Sequence, residues 1–267
     1  TASMLSLRFA RDTASLSNRI NLKLNLSDTS IMLANRFARD TAGKLVLDAN
    51  GFPTAAPTEG VIGDPNPNFR AGLSNMISYK GLSLNVLFDA SVGGDVWDGT
   101  NGALNVFGKT PETANILNLT ATEAAALKGS NGATALSQGW LNPDGTYSVR
   151  GNIVDYGAGP RLANESWYTG LGGGFGAVAE HFIKSATWVK LREMTLAYKL
   201  NAGVLEKVGL DGVTFSLTGR NLWLWTEDKT LSQDPETNLT GGSNGRGLQY
   251  FNSPNTKSFM LSVNLKF

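Results

Sequence analysis

Ser258-Phe259-Met260-Leu261-Ser262-Val263-Asn264-Leu265-Lys266-Phe267, the closing stretch of the chain, alternates without a break. Phe259, Leu261, Val263, Leu265 and Phe267 share one phase, and Ser258, Met260, Ser262, Asn264 and Lys266 share the other. A period of two is a β-strand whose faces differ in character. Leaving the apolar face in water costs about 25 cal/mol for each Å², so that face must meet either a protein core or hydrocarbon. A sandwich strand and a membrane strand satisfy this equally, and the rest of the chain decides between them.

At 267 residues the chain is long enough for one large β-domain or two ordinary ones. A net charge of +1 gives no bulk electrostatic support for a nucleic-acid partner. With no cysteine, disulfides, thiolate metal sites and thiol nucleophiles are excluded, and no cofactor or metal is implied. No run of about 18 apolar residues marks a transmembrane helix, which says nothing against a β-barrel. Thr1-Ala2-Ser3-Met4 carries neither an initiator methionine nor a signal peptide, the expectation being a mature product or a fragment.

Strands are expected near 3–10, 18–26, 30–38, 69–79, 82–92, 187–200, 212–225 and 257–267. The clearest is Leu82, Leu84, Val86, Phe88 and Ala90 set against Ser83, Asn85, Leu87, Asp89 and Ser91, entered through the two-residue turn Lys80-Gly81. Near Arg192-Glu193 the apolar phase slips, as a β-bulge requires. Arg8-Phe9-Ala10-Arg11-Asp12-Thr13-Ala14 recurs as Arg36–Ala42, which places both copies at the same end of alternate strands of a repeating hairpin. Asp48-Ala49-Asn50-Gly51 resembles the start of a calcium loop, but Phe52 stands where a ligand should, so a plain turn is expected. Residues 93–186 form a glycine-rich loop with one helix around Thr120–Lys128 and several aromatics, of which Trp97, Trp140, Trp167 and Tyr168 are candidates for stacking on a ligand. His181, the sole histidine, has no partner at catalytic or ligating spacing.

Antiparallel strands send successive connections to opposite sides. One side then holds 27–29, 80–81 and 201–211; the other holds 11–17, 39–68, 93–186 and 226–256. Short turns on one side and long loops on the other mark an outer-membrane barrel, and the tryptophans of Leu222-Trp223-Leu224-Trp225 suit its interfacial girdle. A soluble sandwich has no reason to sort its loops by length. The fold class expected is therefore an all-β, antiparallel transmembrane barrel segment of about eight strands with long extracellular loops.

Six stretches then carry a family resemblance. Ile62–Phe69, Ser78-Tyr79-Lys80-Gly81-Leu82-Ser83-Leu84, Gly93–Thr100, Val189–Tyr198, Gly219-Arg220-Asn221-Leu222 and the closing Phe strand resemble, in this order, the C-terminal part of SusC/RagA-family TonB-dependent outer-membrane transporters of Bacteroidota. The resemblance covers roughly residues 43–267; residues 1–42 match in strand pattern only. It implies the last eight strands of a barrel of roughly 22, whose plug domain and TonB-contacting segment are missing here. It further implies a non-enzyme in the cell outer membrane that imports glycans or peptides under a SusD-like lipoprotein lid. Its partners would be outer-membrane lipid, TonB, the barrel-assembly machinery and the glycan or peptide substrate, with no nucleic acid. Lys23, Asn25, Asn85, Asp89, Arg220, Asn264 and Lys266 would face the lumen. Phe259, Leu265 and Phe267 would form the assembly signal, and Trp97, Trp140, Trp167 and Tyr168 would touch substrate or lid. The competing reading is a soluble carbohydrate-binding β-sandwich module. An enzyme is disfavoured, since Asp95 and Asp98 beside Trp97 read as loop hydrogen-bonders rather than a glycosidase pair.

Overall fold

The alternating stretches assemble in chain order into one antiparallel sheet. The computed structural model describes residues 3–11, 14–24, 31–175, 178–200, 209–239 and 246–267, with strand pairing alone for residues 3–24. The sheet strands are β1 (Ser3–Arg11), β2 (Ala14–Leu24), β3 (Phe69–Tyr79), β4 (Leu82–Val92), β5 (Trp188–Lys199), β6 (Gly212–Thr226) and β7 (Ser258–Lys266). Each pairs with the next, and β1 does not pair with β7, so the sheet is open.

Two expectations about the N-terminal third are corrected. The strand at 30–38 is not in this sheet: Met32–Ala34 pairs with Gly60–Gly63 in a separate two-stranded sheet, and Phe37 turns into a loop core. Residue 30 itself lies outside the described residues. The strand expected at 18–26 starts at Ala14, opposite Arg11, which reduces the loop expected at 11–17 to the two undescribed residues Asp12 and Thr13. The repeated heptad therefore has two different structures. Its first copy crosses from β1 to β2, whereas in the second the Asp40 carboxylate accepts from the Ala42 and Lys44 amides, each at 2.9 Å, in a local turn. With seven strands the connections sort fully, into 12–13, 80–81 and 200–211 against 25–68, 93–187 and 227–257.

Register decides what each face holds. Leu73, Phe88, Leu191 and Trp223 form one row across four strands; Ile77, Leu84, Leu196, Leu217 and Leu261 form another. The opposite face carries Ser74, Asn85, Thr195, Ser216 and Ser262 in the intervening rows. Exposure is inverted relative to a soluble sheet: Leu217 is 50 % and Leu261 73 % exposed, while Ser216 and Thr195 are half-buried and Thr218 is buried. The sheet thus curls with its polar face inward. Among the described residues no second sheet or helix covers the apolar face, which removes the sandwich architecture.

Tyr79 and Tyr198 sit at the short-turn end of the apolar face and Trp223 and Trp225 at the long-loop end. These rims lie roughly 25–30 Å apart along the strands at about 3.3 Å per residue. The buried apolar clusters lie in the loops instead. Phe37, Phe52, Ala163, Trp167, Tyr168 and Val178 make one; Leu119, Ala124, Leu127, Ala135, Val149 and Leu162 make another. The expected helix forms at Ala121–Ala126, closed by a capping box between Thr120 and Glu123.

Hydrocarbon over the apolar face makes Leu217 and Ser216 respond oppositely to charge. In folding of the intact protein into lipid vesicles, followed by urea titration, Leu217→Arg should cost about 2–4 kcal/mol and Ser216→Arg close to nothing; equal losses would contradict the assignment of faces.

Candidate functional site

The polar face is shaped by two cations that alternate along β5. Lys190 is 2 % exposed, and its ammonium meets Asp234 at 2.6 Å and also Glu236. Arg192 grips Glu236 with both terminal nitrogens, each at 2.8 Å, while its Nε donates to Asp89 on β4 at 2.9 Å. The Trp188 ring lies 4.7 Å from the Lys190 ammonium and 5.6 Å from the Arg192 guanidinium. Asp234 is fixed further by Asn255 Nδ2 at 2.6 Å, and its carbonyl accepts from Gln249 Nε2 at 2.7 Å. A buried ammonium is tolerable only when its charge is matched and its donors are used, and both conditions hold here. Burial alone would push the Glu236 carboxyl up; hydrogen bonds from Arg192 and Lys190, with their charges, outweigh it and hold the carboxyl at about 2.

The other loops lock onto the same end. Gly93 and Gly94 both have positive φ, 79° and 84°, and a Cβ on Gly94 would meet the Asn66 carbonyl at 3.1 Å. Asp64 and Asp95 can therefore exchange bonds, Asp95 N donating to Asp64 O at 2.6 Å and Asp64 N to Asp95 Oδ2 at 2.9 Å. Asp98, fully buried, caps helix α1 (Gly99–Val106) through Asn101 N at 3.0 Å and accepts from Ser232 N at 2.8 Å. Thr100 Oγ1 accepts from Phe251 N at 2.7 Å. The described parts of loops 25–68, 93–187 and 227–257 thereby form one layer over the long-loop end of the polar face. Between that layer and β5–β6 lies a cleft of about 480 Å³ lined by Lys190, Asn221, Leu224, Ser232, Gln233 and Asn255, among others.

Five of the seven residues expected to face a lumen lie on the polar side. Asn85, Asp89, Arg220, Asn264 and Lys266 occupy its rows, and Lys23 stands opposite Arg70 in register; Asn25 lies outside the described residues. Arg220 Nε donates to Glu193 at 3.0 Å. Phe259 and Leu265 lie on the apolar face and Phe267 follows β7, all three exposed. The aromatics divide. Trp167, 3 % exposed, is enclosed by Phe52 and Tyr156 at 5.1 and 5.5 Å, and buried Tyr168 accepts from Asn152 Nδ2 at 2.7 Å, so these two hold the loop together rather than present a ring. Trp97 is stacked on Tyr250. Trp140, at 52 %, presents its surface outward. His181 meets Phe37, Trp167 and Phe182 edge-on while staying partly open to solvent, and its partial desolvation lowers its pKa. The sequence reading missed Lys190, Arg192, Asp234 and Glu236. Their signal was available as two basic residues on the polar phase of one strand and the acidic pair flanking Pro235.

No family model matches the chain. It is similar to TonB-dependent receptor P3 of Formosa agariphila, 27 % identical over 226 residues, which covers 83 % of this chain and 18 % of that receptor. It is also similar to TonB-dependent receptor P26 of the same organism, 24 % identical over 216 residues, 78 % of this chain and 18 % of the relative. The chain thus spans under a fifth of the length of these curated relatives. Among solved structures, the RagAB peptide transporter aligns over 100 % of this chain and 28 % of its own, with a TM-score of 0.54 at 16 % identity. The RagAB peptide importer in its closed-closed state aligns with the same TM-score, 0.54, at 15 % identity over 100 % of this chain and 29 % of that one. The resemblance drawn from the sequence agrees with these findings: over about four fifths of its length the chain is similar to TonB-dependent receptors, and its fold is that of part of the RagAB transporter.

The Glu236 contacts fix how loop 227–257 responds to acid. The depressed carboxyl contributes stability that is present above its ordinary value of 4.5 and is lost as pH falls through about 2. Protease protection of this loop in the intact receptor should therefore hold at pH 5 and above and fade only below about 4.5, whereas Glu236→Gln should loosen it at neutral pH.

Proposed function

We propose that this chain forms the closing wall of a large plugged outer-membrane barrel and the outer loops above it, in a transporter that imports glycans or peptides with energy from TonB. In this reading residues 1–267 are the C-terminal portion of the barrel. The plug, the TonB-contacting segment and the earlier strands belong to parts of the receptor outside this sequence. The observation that carries it is the inverted sheet, apolar on its convex face and hydrophilic within. Both outer edges need further strands, because an unpaired backbone edge in hydrocarbon costs several kcal/mol for each group. Lys23, Asn25, Asn85, Asp89, Arg220, Asn264 and Lys266 then line water. The closing strand with Phe259, Leu265 and Phe267 is the segment read by the barrel-assembly machinery. A SusD-like lipoprotein would sit over the loop layer, with Trp140 as its exposed aromatic contact; RagAB is a peptide transporter, which favours peptides here.

Two measurements test this. Cells lacking the receptor should lose uptake of labelled oligopeptides too large for porins, and a receptor without its TonB-contacting segment should fail to restore it. The chain holds no cysteine, so single cysteines can report each face in nanodiscs. Those at Asn85, Thr195 and Ser216 should react with a water-soluble maleimide, and those at Leu84, Leu196 and Leu217 should not. The reverse pattern would sink the assignment.

A further inference from the structure

Strand β6 outruns its last neighbour. It extends to Thr226, but its pairing with β7 ends at Arg220 opposite Ser258, so the stretch 221–226 has a paired strand on the β5 side only. The sequence explains the break. Carrying the register onward would set Leu224 opposite Pro254, which has no N–H to donate. Asn221 stands in the left-handed region at φ 52°, and its side chain makes the crossing instead, Nδ2 donating to Thr256 O at 3.1 Å. Gln233 Nε2 donates to Asn252 O at 3.0 Å and Asn255 Nδ2 to Asp234 at 2.6 Å, which tie residues 252–257 to the loop layer rather than to β6. The cleft of about 480 Å³ is the wedge this leaves, with Leu224 and Thr226 on one wall and Pro254, Asn255 and Lys257 on the other.

Pairing with β5 fixes which backbone groups the wedge receives. Glu227 N donates to Thr187 O at 3.1 Å, so every second residue back along β6, Trp225 and then Trp223, directs its N–H and C=O to β5. Leu224 and Thr226 direct theirs to the wedge. The Thr226 carbonyl is taken by the Lys229 ammonium. The Leu224 N–H, the Leu224 C=O and the Thr226 N–H meet no partner among the described residues. They form a row of donor, acceptor and donor with the spacing of any strand edge. Trp223 and Trp225 mark this level as the rim of the apolar face, where water pairs the open groups until a ligand does.

We propose that this open edge of β6 takes up an extended peptide as an added strand, its main chain bonding to Leu224 and Thr226 inside the wedge. An extended main chain presents the complementary acceptor, donor and acceptor whatever its sequence. Its alternate side chains would fall beside the exposed rings of Trp223 and Trp225 on one face and beside Leu224 and Leu231 on the other. The proposal rests on the transporter reading and deepens it: the peptide main chain is the feature recognised at the rim, so cargo of many sequences is admitted.

Amide hydrogen exchange in the full-length receptor in detergent reads this edge directly. The probes are acetylated pentaalanine amide, the ester analogue with lactic acid in place of each alanine, and maltotetraose. Without a probe, the Leu224 and Thr226 amides should exchange about tenfold faster, or more, than those of Trp223 and Trp225. Pentaalanine should slow both about tenfold, and the ester, which keeps the methyl side chains and loses the N–H donors, should bind about tenfold more weakly. Leu224→Pro removes a donor from the open edge alone, where proline is tolerated, and should abolish the slowing at Thr226. The two pentamers on the unaltered receptor keep the test valid if that variant does not assemble. The site is overturned if both amides are already protected before peptide is added, since another part of the receptor would then fill the edge. It is also overturned if ester and amide bind alike, if maltotetraose slows the two amides as well as the peptide does, or if the peptide has no effect up to about 10 mM. Binding at equilibrium needs no import. A receptor whose edge is protected by peptide but which imports none fails the transport reading alone, and one that imports peptides with the edge unprotected fails this site alone.

Discussion

The apolar convex face of the sheet is the constraint from which the rest of this structure follows. Leu73, Ile77, Leu196, Phe215, Leu217 and Leu261 all lie exposed on one curved surface, with no charged residue in the rows between them. At about 25 cal/mol for each Å², such a surface in water would outweigh much of what a domain of this size gains by folding. In hydrocarbon the same surface carries no penalty, and the requirement moves to the backbone, whose groups must all be paired. A strictly antiparallel order with consecutive neighbours meets that requirement within the sheet. The outward greasy face and the inward hydroxyls and amides are then two consequences of one solvent arrangement.

The loops are under the opposite constraint. They face water on the outside and polar side chains below, so they must fold on their own cores, and Phe52, Trp167 and Leu162 provide these. The loop layer still has to be attached to a sheet face that offers no apolar grip. Buried charge performs that attachment: Lys190 and Arg192 on β5 hold Asp234 and Glu236 of the last long loop. Such pairs add little net stability relative to an apolar contact, but removing one partner strands the other, so they favour a single seating of the loop.

Much of the sheet was legible because a period of two survives in any strand with unlike faces. The sorted connections were legible as well, and they were blurred only where Ile31, Leu33 and Phe37 imitated a strand. Alternation cannot say which partner a strand finds, and here the partner is Gly60–Gly63 rather than a strand of the large sheet. Burial in the loops was less legible. Trp140, Trp167 and Tyr168 read alike as loop aromatics, and what separates them is a core gathered from residues as distant as Phe37 and Val178. The charged attachment was half legible. The alternation places Lys190 and Arg192 on the polar side, but nothing local points to Glu236 more than forty positions away.

The phase slip in β5 shows the two constraints meeting at one residue. Register shifts between Leu191 and Glu193 against both neighbouring strands, with Asn221 in the left-handed region at φ 52° on the β6 side. Under strict alternation from Lys190 and Arg192, Glu193 would turn toward hydrocarbon and Met194, Leu196 and Tyr198 toward the hydrated side. A carboxylate there would be expensive. The bulge absorbs one residue, so Arg192 and Glu193 both stay on the hydrated side, the first bound to Asp89 and Glu236 and the second to Arg220. Beyond it Met194, Leu196 and Tyr198 return to the apolar rows. The irregularity in the sequence is therefore what keeps the sheet regular in its chemistry: adjacent charged residues can sit in a membrane strand only where the backbone gives up one step of alternation.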